Sequence, residues 1–521
     1  MALKRSKSYV LPMLRSLSTK PAPIHPDTER MNILNDMKQY PKFIESCTLK
    51  DYREKWNHIP DGAREKDHEF FVAGRVLNKR KASSKLIFYD IKNEDSTLQV
   101  IATKLQYEAT DSYSSINRLI RPGDIIGIRG FPGKSEKGEL SIIPREITLL
   151  SPCIPPLPRE WQTLSNDNII YRQRYLDLLI NDKSRLIFQK RTKILKYLRH
   201  FLDSRDFMEV ETPVLSSSAG GATARPFVTR GKSIGEDLYM RISPELYLKQ
   251  LVVGGFGRVY EVSRVFRNEG IDMKHNPEFT TIEAYRQYID MNTWIKDTED
   301  MISGLCKSLY NSLSLPYKDQ IIDYTPPYKQ MDIYTELKKH IPDLQDMNSQ
   351  SSLPLLVHHC EENSIPITPP ITLNRVLDEL IHHYIEVTCQ NPTFITGHPM
   401  VMSPLAHESP TRPGIAERFE LFINQMEIVN AYTEQNSPHI QNEMFKLQAI
   451  EKEKGDDEIP PTDEDFVTAL TYGLPPTSGW GMGVDRLVML LTNAESIKDV
   501  ILFPTLRHGI SDTLQKEKNY K

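Results

Sequence analysis

Charged and aromatic residues alternate with apolar ones along a single stretch, which reads VFRNEGIDMKHNPEFTTIEAY from Val265 to Tyr285. Side chains of an extended strand point alternately to opposite faces, so Arg267 and Glu269 would share the face of Val265. The same parity places four further residues on one face: Phe279, Thr281, Glu283 and Tyr285. Each face thus mixes charge with apolar groups, as a ligand-binding surface would.

The segment GIDMKHNP between the two patterned runs is short enough for them to pair as antiparallel strands. Such pairing would bring a cation, two acids and an aromatic ring close together. A solvated surface hairpin could carry the same charges, but its acids and bases would more often occupy paired, interchangeable positions. We therefore interpret the stretch as a buried ligand site.

A glycine-rich run precedes a second arginine of interest, in GWGMGVDRLVMLLT from Gly479 to Thr492. Arg486 would lie at the start of an apolar helix, where main-chain amides and the helix dipole favour an anion. Helices often begin after glycine, so the run alone indicates only a possible anion site.

The elements upstream of these motifs follow a different pattern, with five short alternating runs between residues 68 and 153 and a possible helix, SSINRLI, between the third and fourth. This order predicts an OB-fold β-barrel. Parity places Phe88, Gln99 and Glu139 opposite the apolar faces of their strands, with Phe88 exposed. An aromatic ring, an amide and a carboxylate on one surface suit a reader of single-stranded nucleic acid, although an ordinary barrel with one stray exposed Phe fits equally well.

The remaining chain divides by composition. Residues 29–67 are polar, with one helical pattern in LKDYREKW, and form a helical lead-in; residues 154–170 are proline-rich and form a linker. Residues 171–521 alternate helices with strands and include a helical module at about 315–395. We expect an α+β multidomain protein.

Composition sets outer limits on function. The chain of 521 residues is 39% hydrophobic and 26% charged, and no apolar run approaches the length of a transmembrane helix, so we expect no membrane partner. The net charge of −4 means that any nucleic acid must be bound by a local basic patch. The five cysteines are scattered, which matches neither a zinc site nor a disulfide framework and indicates a reducing compartment.

The first 28 residues carry five cations and no acid before Asp27. Hydroxyl and apolar residues separate these charges, as in a mitochondrial transit peptide. A basic tail that touches RNA is the alternative. We therefore expect the mitochondrial matrix, with the cytoplasm as the second possibility.

Three signatures together resemble one family, the class II aminoacyl-tRNA synthetases, and within it the lysyl subgroup. The Val265–Tyr285 stretch resembles the second signature motif, RDFMEVETPVLSSSAGGATARPF (Arg205 to Phe227) the first, and the Gly479–Thr492 run the third. The resemblance covers roughly residues 69 to 505. One departure is Asp206, where the family commonly has glycine.

The resemblance implies a lysine–tRNA ligase fold and reaction. The OB-fold domain would bind the anticodon, and the catalytic domain would be built on an antiparallel sheet flanked by helices. L-Lysine would react with ATP, the co-substrate, to give a lysyl adenylate, and the aminoacyl group would pass to tRNA(Lys). This chemistry depends on positioning and on charge neutralisation along the phosphates.

The resemblance also implies roles for particular residues. Arg267 and Arg486 would be catalytic, and the ATP site would comprise Arg267, Glu269, His275, Asn276, Phe279 and Arg486. The lysine site would comprise Gly221, Glu245, Glu283, Tyr285, Asn430, Tyr432 and Glu434, because carboxylates suit an ammonium. Glu420 and Glu427 would hold Mg²⁺, Pro213 would lie at a homodimer interface, and Phe88, Gln99 and Glu139 would read the anticodon.

Strand phase adds one structural expectation. Glu427 is out of phase with Asn430, Tyr432 and Glu434, so a bulge or strong twist must lie between Glu427 and Asn430 if all four face one site.

Two other functions stay open: a catalytically silent paralogue that binds RNA or protein, and an adenylating enzyme with a protein acceptor. The first is disfavoured by the presence of Arg267, Glu420, Glu427 and Arg486. The barrel counts against the second.

Overall fold

The computed structural model describes residues 41–109, 112–155, 157, 167–218, 220–453, 455, 459 and 462–506. Its contacts divide the chain into two compact units, residues 1–163 and 164–521. The predicted transit peptide, residues 1–28, lies outside the described residues, as do the first part of the lead-in and most of the proline-rich linker. The described chain resumes with a helix at Asp167–Arg172, inside the range predicted as linker.

The first unit is a closed barrel of five strands, as the alternating runs predict. The strands are β1 (Phe70–Ser83), β2 (Leu86–Asn93), β3 (Ser96–Thr103), β4 (Ile125–Lys134) and β5 (Leu140–Ser151). They follow each other around the barrel in the order β1-β2-β3-β5-β4. Only the β3–β5 pair among them is parallel. The predicted helix between the third and fourth strands is Tyr113–Leu119.

The lead-in helix, α1 (Leu49–Trp56), belongs to the barrel core. Its residues Leu49, Tyr52 and Trp56 recur at helical spacing and are buried with the inward-facing strand residues. The Tyr52 hydroxyl also donates to the Ser141 carbonyl at 3.1 Å. The amphipathic pattern of LKDYREKW therefore reflects packing against the barrel.

The second unit contains the other helices of the described chain. In chain order, with the barrel helix as α2, these are α3 (Asp167–Arg172), α4 (Arg174–Ile180), α5 (Asp182–Asp203), α6 (Glu245–Val253), α7 (Met291–Tyr310), α8 (Ile333–His340), α9 (Leu353–Glu362), α10 (Leu373–Tyr384), α11 (Pro438–Glu453), α12 (Glu464–Leu470), α13 (Val484–Thr492) and α14 (Ile497–Val500). None of the helices in the described ranges is both long enough and apolar enough to cross a membrane.

The strands of this unit form one large sheet and two small ones. They are β6 (Met208–Glu209), β7 (Leu215–Ser216), β8 (Val228–Arg230), β9 (Asp237–Met240), β10 (Arg258–Phe266), β11 (Glu278–Gln287), β12 (Ser314–Tyr317), β13 (Gln320–Asp323), β14 (Lys329–Asp332), β15 (Thr393–Thr396), β16 (Arg418–Ile423), β17 (Met426–Thr433) and β18 (Thr477–Gly483). The large sheet has the order β14-β15-β16-β17-β18-β11-β10-β6. All its pairs are antiparallel except the two at its edges, β14–β15 and β10–β6.

Helices cover one face of this sheet. Trp294 of α7 stacks on Trp480 of β18 with ring centroids 5.6 Å apart, and both rings are fully buried. The Trp480 indole N–H donates to the Thr298 hydroxyl at 2.9 Å, so the burial leaves no unpaired donor on that ring. This packing holds the central strands, which carry the site residues on their other face.

The module predicted at 315–395 spans the β12–β13 hairpin, strand β14 and helices α8 to α10. A parallel pair such as β14–β15 needs a crossover, and the helices supply it. Their apolar faces form a core of their own around Leu337, Leu356 and Leu377.

Asp206, the residue that departs from the family pattern, adopts a left-handed conformation with φ of 60°. Glycine takes up this conformation without steric cost, which accounts for its usual presence there. Asp206 instead lies in the turn before β6, with its carboxylate 3.4 Å from Arg258.

Candidate active site

One cavity of about 630 Å³ lies over the exposed face of the central strands. All the residues predicted to bind ATP, lysine or metal, with the exception of Glu420, line it: Gly221, Glu245, Arg267, Glu269, His275, Asn276, Phe279, Glu283, Tyr285, Glu427, Asn430, Tyr432, Glu434 and Arg486. The first and the last of these residues, Gly221 and Arg486, are more than 250 residues apart in the chain. The fold therefore brings together nearly the whole predicted set.

The antiparallel pairing predicted for the Val265–Tyr285 stretch is confirmed. Val265 of β10 is opposite Phe279 of β11, and the pairing continues to the far ends of both strands. Arg267 follows β10 directly, with its guanidinium carbon 5.3 Å from the centre of the Phe279 ring. A cation and an aromatic face therefore lie side by side at the loop end of the hairpin.

Cations cluster at this end of the cavity. Arg486, near the start of α13, donates to the Glu427 carbonyl at 3.0 Å and to the Glu427 carboxylate at 3.3 Å. Its other terminal nitrogen is 3.0 Å from Nε2 of His275. Lys274 also lines the cavity, and burial together with the nearby Arg486 lowers its pKa. Three cations, counting Arg267, make this end a site for a polyanion.

The remaining predicted nucleotide residues flank this cluster. Asn276 is buried and its amide donates to the Glu278 carbonyl at 2.6 Å, which leaves the Asn276 side-chain oxygen without a partner among the described residues. Glu269 is exposed at the rim.

Acids dominate the opposite end of the cavity. Glu245 and Glu434 are almost fully buried, and the half-buried Glu283 is close enough to both for their charges to interact. The Ser243 hydroxyl donates to Glu283 at 3.0 Å and the Tyr285 hydroxyl at 3.3 Å. Burial and, secondarily, the charge of Glu245 raise the pKa of Glu283 to about 8. Such an environment favours an incoming cation.

Two glycines make room for these acids. Gly221 has a φ of 86°, and a Cβ on it would approach the Glu245 Cβ to 3.0 Å. A Cβ on Gly479 would overlap Oε1 of Glu434, at 2.1 Å, and the Tyr285 ring. Any larger residue at either position would displace the acidic wall.

The bulge expected on β17 is present. Leu421 of β16 pairs with Val429, but the next residue, Phe422, pairs with Glu427, which leaves Ile428 as an extra residue. The shift returns Glu427 to the face of Asn430, and both line the cavity. The strand-phase prediction is thus confirmed.

The barrel carries its predicted trio on one outer face. Phe88 pairs with Ile101, and Gln99 pairs with Ser141, whose hydroxyl donates to the Gln99 amide oxygen at 3.0 Å. Glu139 is exposed just before β5. The prediction that Phe88 is exposed is wrong, because the ring is half-buried.

Phe88 packs at the edge of a small apolar cluster outside the barrel, formed by Ile101, Phe131 and Ile143. The Arg80 guanidinium carbon is 5.8 Å from the centre of the Phe88 ring. Tertiary packing of β4 and β5, which strand parity does not reveal, covers part of the ring. The part that remains accessible is still a stacking surface beside a cation.

Comparison with known proteins agrees with both units. A family model described as tRNA synthetases class II (D, K and N) matches residues 166–507, and a model described as OB-fold nucleic acid binding domain matches residues 70–150. The chain belongs to the class II tRNA synthetase family. The resemblance carried by the three motifs is therefore confirmed, as is the fold class.

Relatives within the family are lysine–tRNA ligases, and the chain belongs with this group. It is 44% identical to lysine–tRNA ligase cla4 of Cladosporium cladosporioides over 94% of this chain and 85% of the relative. It is 46% identical to a probable cytoplasmic lysine–tRNA ligase of Enterocytozoon bieneusi over 84% and 87%. It is 41% identical to a lysine–tRNA ligase of Thermotoga maritima over 90% and 93%.

Class II synthetases use ATP, commonly with a divalent metal, and the acids near the nucleotide end fit a hard cation. Burial raises the pKa of Glu427, and so does the charge of Glu420. Asp378 and Glu386, from the helical module, have pKa values raised to about 6 and about 7 by burial, with Glu420 again contributing. Among the described residues no three acids, cysteines or histidines form a metal site by themselves, so Mg²⁺ here would need phosphate oxygens beside one or two carboxylates.

Glu420, the second residue predicted to hold Mg²⁺, does not line the cavity. Arg418 donates to Oε1 at 2.6 Å, and His398 lies 3.3 Å from Oε2. Burial would raise the pKa of Glu420, but Arg418 and His398 outweigh it and lower the pKa to about 2. Both of its oxygens already face cationic or imidazole groups, so Glu427 is the better placed of the two acids.

Sequence reasoning missed several residues of the site. Arg418, Lys274 and Asp378 line the cavity, and Lys249 lies behind its acidic wall. Lys249 alone had a local signal, because it follows Glu245 by four residues on a helix and so must lie on the same side. The others become visible only when β16, the hairpin loop and α10 are placed around one cavity.

Proposed function

We propose that this lysine–tRNA ligase activates L-lysine with ATP to form a lysyl adenylate and then transfers the lysyl group to tRNA(Lys). The observation that carries the proposal is the polarity of the cavity, with cations Arg267, Lys274 and Arg486 at one end and three acids, two of them buried, at the other. Lysine presents a carboxylate that must meet ATP and two ammonium groups that need acids. Its charge distribution complements that of the cavity.

The α-carboxylate of lysine would lie between the two ends, at Arg267. A guanidinium can donate to the carboxylate and to the α-phosphate at once, which brings the attacking oxygen to the phosphorus and offsets the repulsion between two anions. The carboxylate oxygen attacks the α-phosphorus, and the bond to the bridging oxygen of pyrophosphate breaks. Arg486 would stabilise the negative charge of the phosphates from the opposite side.

The adenine would stack on Phe279, with Glu269 at its polar edge and with His275 and Asn276 over the phosphates. Glu427, with Glu420 beside it, would hold Mg²⁺, which offsets phosphate charge when bound. Glu245 and the backbone at Gly221 would receive the α-ammonium. Glu283 and Glu434 would receive the side-chain ammonium, with Tyr285, Asn430 and Tyr432 around it.

The acids at Glu283 and Glu434 distinguish lysine from the aspartate and asparagine that the family name also covers. A side-chain carboxylate or amide would place no cation between these acids and would leave them unpaired in a buried site. The cavity therefore favours a cationic amino acid.

Amino-acid-dependent exchange of pyrophosphate into ATP, without tRNA, tests the proposal directly. Lysine, aspartate and asparagine are compared with folded protein and Mg²⁺. Exchange with lysine alone is expected. Exchange with none of the three would favour a silent paralogue, and exchange with aspartate would refute the pocket assignment.

We propose that the barrel face carrying Phe88, Gln99 and Glu139 reads the tRNA anticodon, because an accessible ring beside a cation can stack an unpaired base while the amide and acid test its edge.

We also propose a homodimer through the segment around Pro213. Exposed apolar residues support this: Met208, Val214, Leu215 and Val228 are each about two-fifths or more exposed. Sedimentation of the wild type and of a Val228→Glu variant should give a dimer and a monomer, respectively.

The charge pattern of residues 1–28 supports a role in the mitochondrial matrix, with the cytoplasm as the alternative. Import of a reporter fused to residues 1–28 into isolated mitochondria tests this. A reporter that stays outside would leave the cytoplasmic alternative.

A further inference from the structure

A lysine of the protein itself lies inside the acidic end of the cavity wall. The Lys249 side chain has no exposed surface, and its ammonium nitrogen is 2.5 Å from Oε1 of Glu245. The same nitrogen forms an ion pair with Oε2 of Glu434, which is equally buried. Glu245 and Glu434 belong to different elements, α6 and the end of β17, so Lys249 links two walls of the pocket.

Helix geometry fixes this arrangement. Glu245 is the first residue of α6 and Lys249 follows one turn later, so the two side chains lie on the same face of the helix. The Tyr432 hydroxyl donates to the same Oε1 of Glu245 at 2.6 Å. The rings of Tyr432 and Phe466 lie 5.5 Å and 5.6 Å from the Lys249 ammonium and close off its remaining sides.

Lys249 also decides the charge that this end of the pocket offers to a ligand. Glu245, Glu283 and Glu434 are three acids, and Lys249 is the cation among them, while Arg267 lies at the boundary towards the nucleotide end. With one acid matched by Lys249, the pocket can match two more positive charges. An amino acid with a second amino group supplies these two charges.

The three acids differ in the hydrogen bonds and ion pairs that they already form within the protein. Glu245 accepts from both Lys249 and Tyr432, whereas Oε1 of Glu434 has no hydrogen-bond partner among the described residues. Glu283 is held by Ser243 and Tyr285, neither of which is charged. The unpaired Glu434 oxygen and Glu283 are therefore left for the side-chain ammonium of the ligand. Oε2 of Glu245, which neither Lys249 nor Tyr432 contacts, is left for the α-ammonium. Burial tends to lower the pKa of Lys249, but Glu245 and Glu434 raise it above its usual value, so the ammonium stays charged.

We propose that Lys249 is a positioning residue for substrate selection: its buried ammonium fixes Glu245 relative to Glu434 and cancels one of three acidic charges, so that the pocket accepts a diamino carboxylic acid. This inference rests on the proposed function. It assigns the specificity for lysine partly to a residue that does not touch the ligand.

The test replaces Lys249 by Met, which keeps the length of the side chain and removes its charge. Pyrophosphate exchange should show a KM for lysine raised about 30-fold or more, because removing one partner leaves a buried acid unpaired and free to move. The KM for ATP should change less than threefold, and so should kcat at saturating lysine. Lys196→Met, on the exposed side of α5, is the matched control and should behave as wild type.

A merely structural role would instead lower kcat through loss of active protein and leave the KM for lysine unchanged, and that pattern would overturn the proposal. The pH profile of kcat/KM for lysine gives a second readout. Its acid limb should move to higher pH in Lys249→Met, since the acids would then repel each other without a cation between them. An unmoved limb would also overturn the proposal.

A double-mutant cycle keeps the test valid where Lys249→Met alone does not fold. Lys249→Met combined with Glu434→Gln removes one positive and one negative charge, so the net charge of the acidic wall stays as in the wild type. If the two residues act as a pair, the double variant should raise the KM for lysine no more than Glu434→Gln alone. A further increase of tenfold or more would overturn the pairing.

Measurements on the wild-type protein distinguish a failure of the proposed function from a failure of the role given to Lys249. Absence of lysine-dependent exchange by the wild type would refute the proposed function and this inference with it. Normal wild-type exchange together with an unaffected Lys249→Met variant would overturn the inference alone.

Discussion

The main-chain N–H of Thr280 donates to the buried carboxylate of Asp485 at 2.7 Å. The Arg191 guanidinium donates to the other oxygen of that carboxylate and, at 3.0 Å, to the Thr280 hydroxyl. Thr280 follows Phe279, and Asp485 precedes Arg486. One buried ion pair therefore fixes the strand with the proposed adenine platform against the helix with the proposed phosphate clamp.

Asp485→Ala should lower the free energy of unfolding by about 3 kcal/mol, because it leaves Arg191 charged and largely buried without an acidic partner. Urea unfolding measures the difference. Glu443→Ala on α11 removes an ion pair whose two side chains are each at least half exposed, and it should leave the free energy of unfolding close to that of the wild type. Equal losses in the two variants would contradict the role given to Asp485.

Arg267→Ala should reduce pyrophosphate exchange by about 10³-fold, since the variant lacks the donor that bridges carboxylate and phosphate. Arg264, three residues earlier on β10, provides the control: it is half exposed and 3.8 Å from Glu278. Arg264→Ala should keep exchange within about threefold of wild type. An active Arg267→Ala enzyme would refute the catalytic assignment.

The pH dependence of lysine use should follow Glu283. Its pKa of about 8 means that the free protein holds this acid protonated at neutral pH, and only the ionised form pairs with an ammonium. Consequently kcat/KM for lysine should rise by up to about tenfold per pH unit below pH 8 and level off above it.

Glu283→Gln removes the titrating group, so the step near pH 8 should disappear from the profile. The variant should also discriminate less well between lysine and uncharged amino acids of similar length. A profile that keeps its step in Glu283→Gln would assign the pKa to another group.

Phe88→Ala should leave pyrophosphate exchange unchanged, because the cavity proposed for adenylate formation is lined by residues of the second unit only. Charging of tRNA should fall about 5- to 100-fold, the range expected for the loss of one base–aromatic stack. Leu77→Ala, at another partly exposed apolar position on β1, controls for general damage to the barrel. Charging that is unaffected by Phe88→Ala would remove the anticodon assignment.

Hydrophobic patterns with a period of 2 or 3.6 residues were sufficient to predict much of the fold. They predict the five barrel strands, the helix between the third and fourth, the lead-in helix that is α1, and the β10–β11 hairpin, all of which the structure contains. Periodicity succeeds here because it records which face of an element is buried, and that is a local property of the chain. The same parity argument required the bulge at Ile428 once four residues were assigned to one site.

Other features depend on which elements meet, and local patterns do not contain that information. Phe88 is half covered because β4 and β5 place Phe131 and Ile143 beside it, and Glu420 is screened by Arg418 and His398. The sequence by itself determined the family and the paired strands, and it predicted a set of ligand-binding residues of which all but Glu420 line one cavity. The tertiary structure alone decided that Lys249 is buried between Glu245 and Glu434, because burial and ion pairing are set by contacts between segments far apart in the chain.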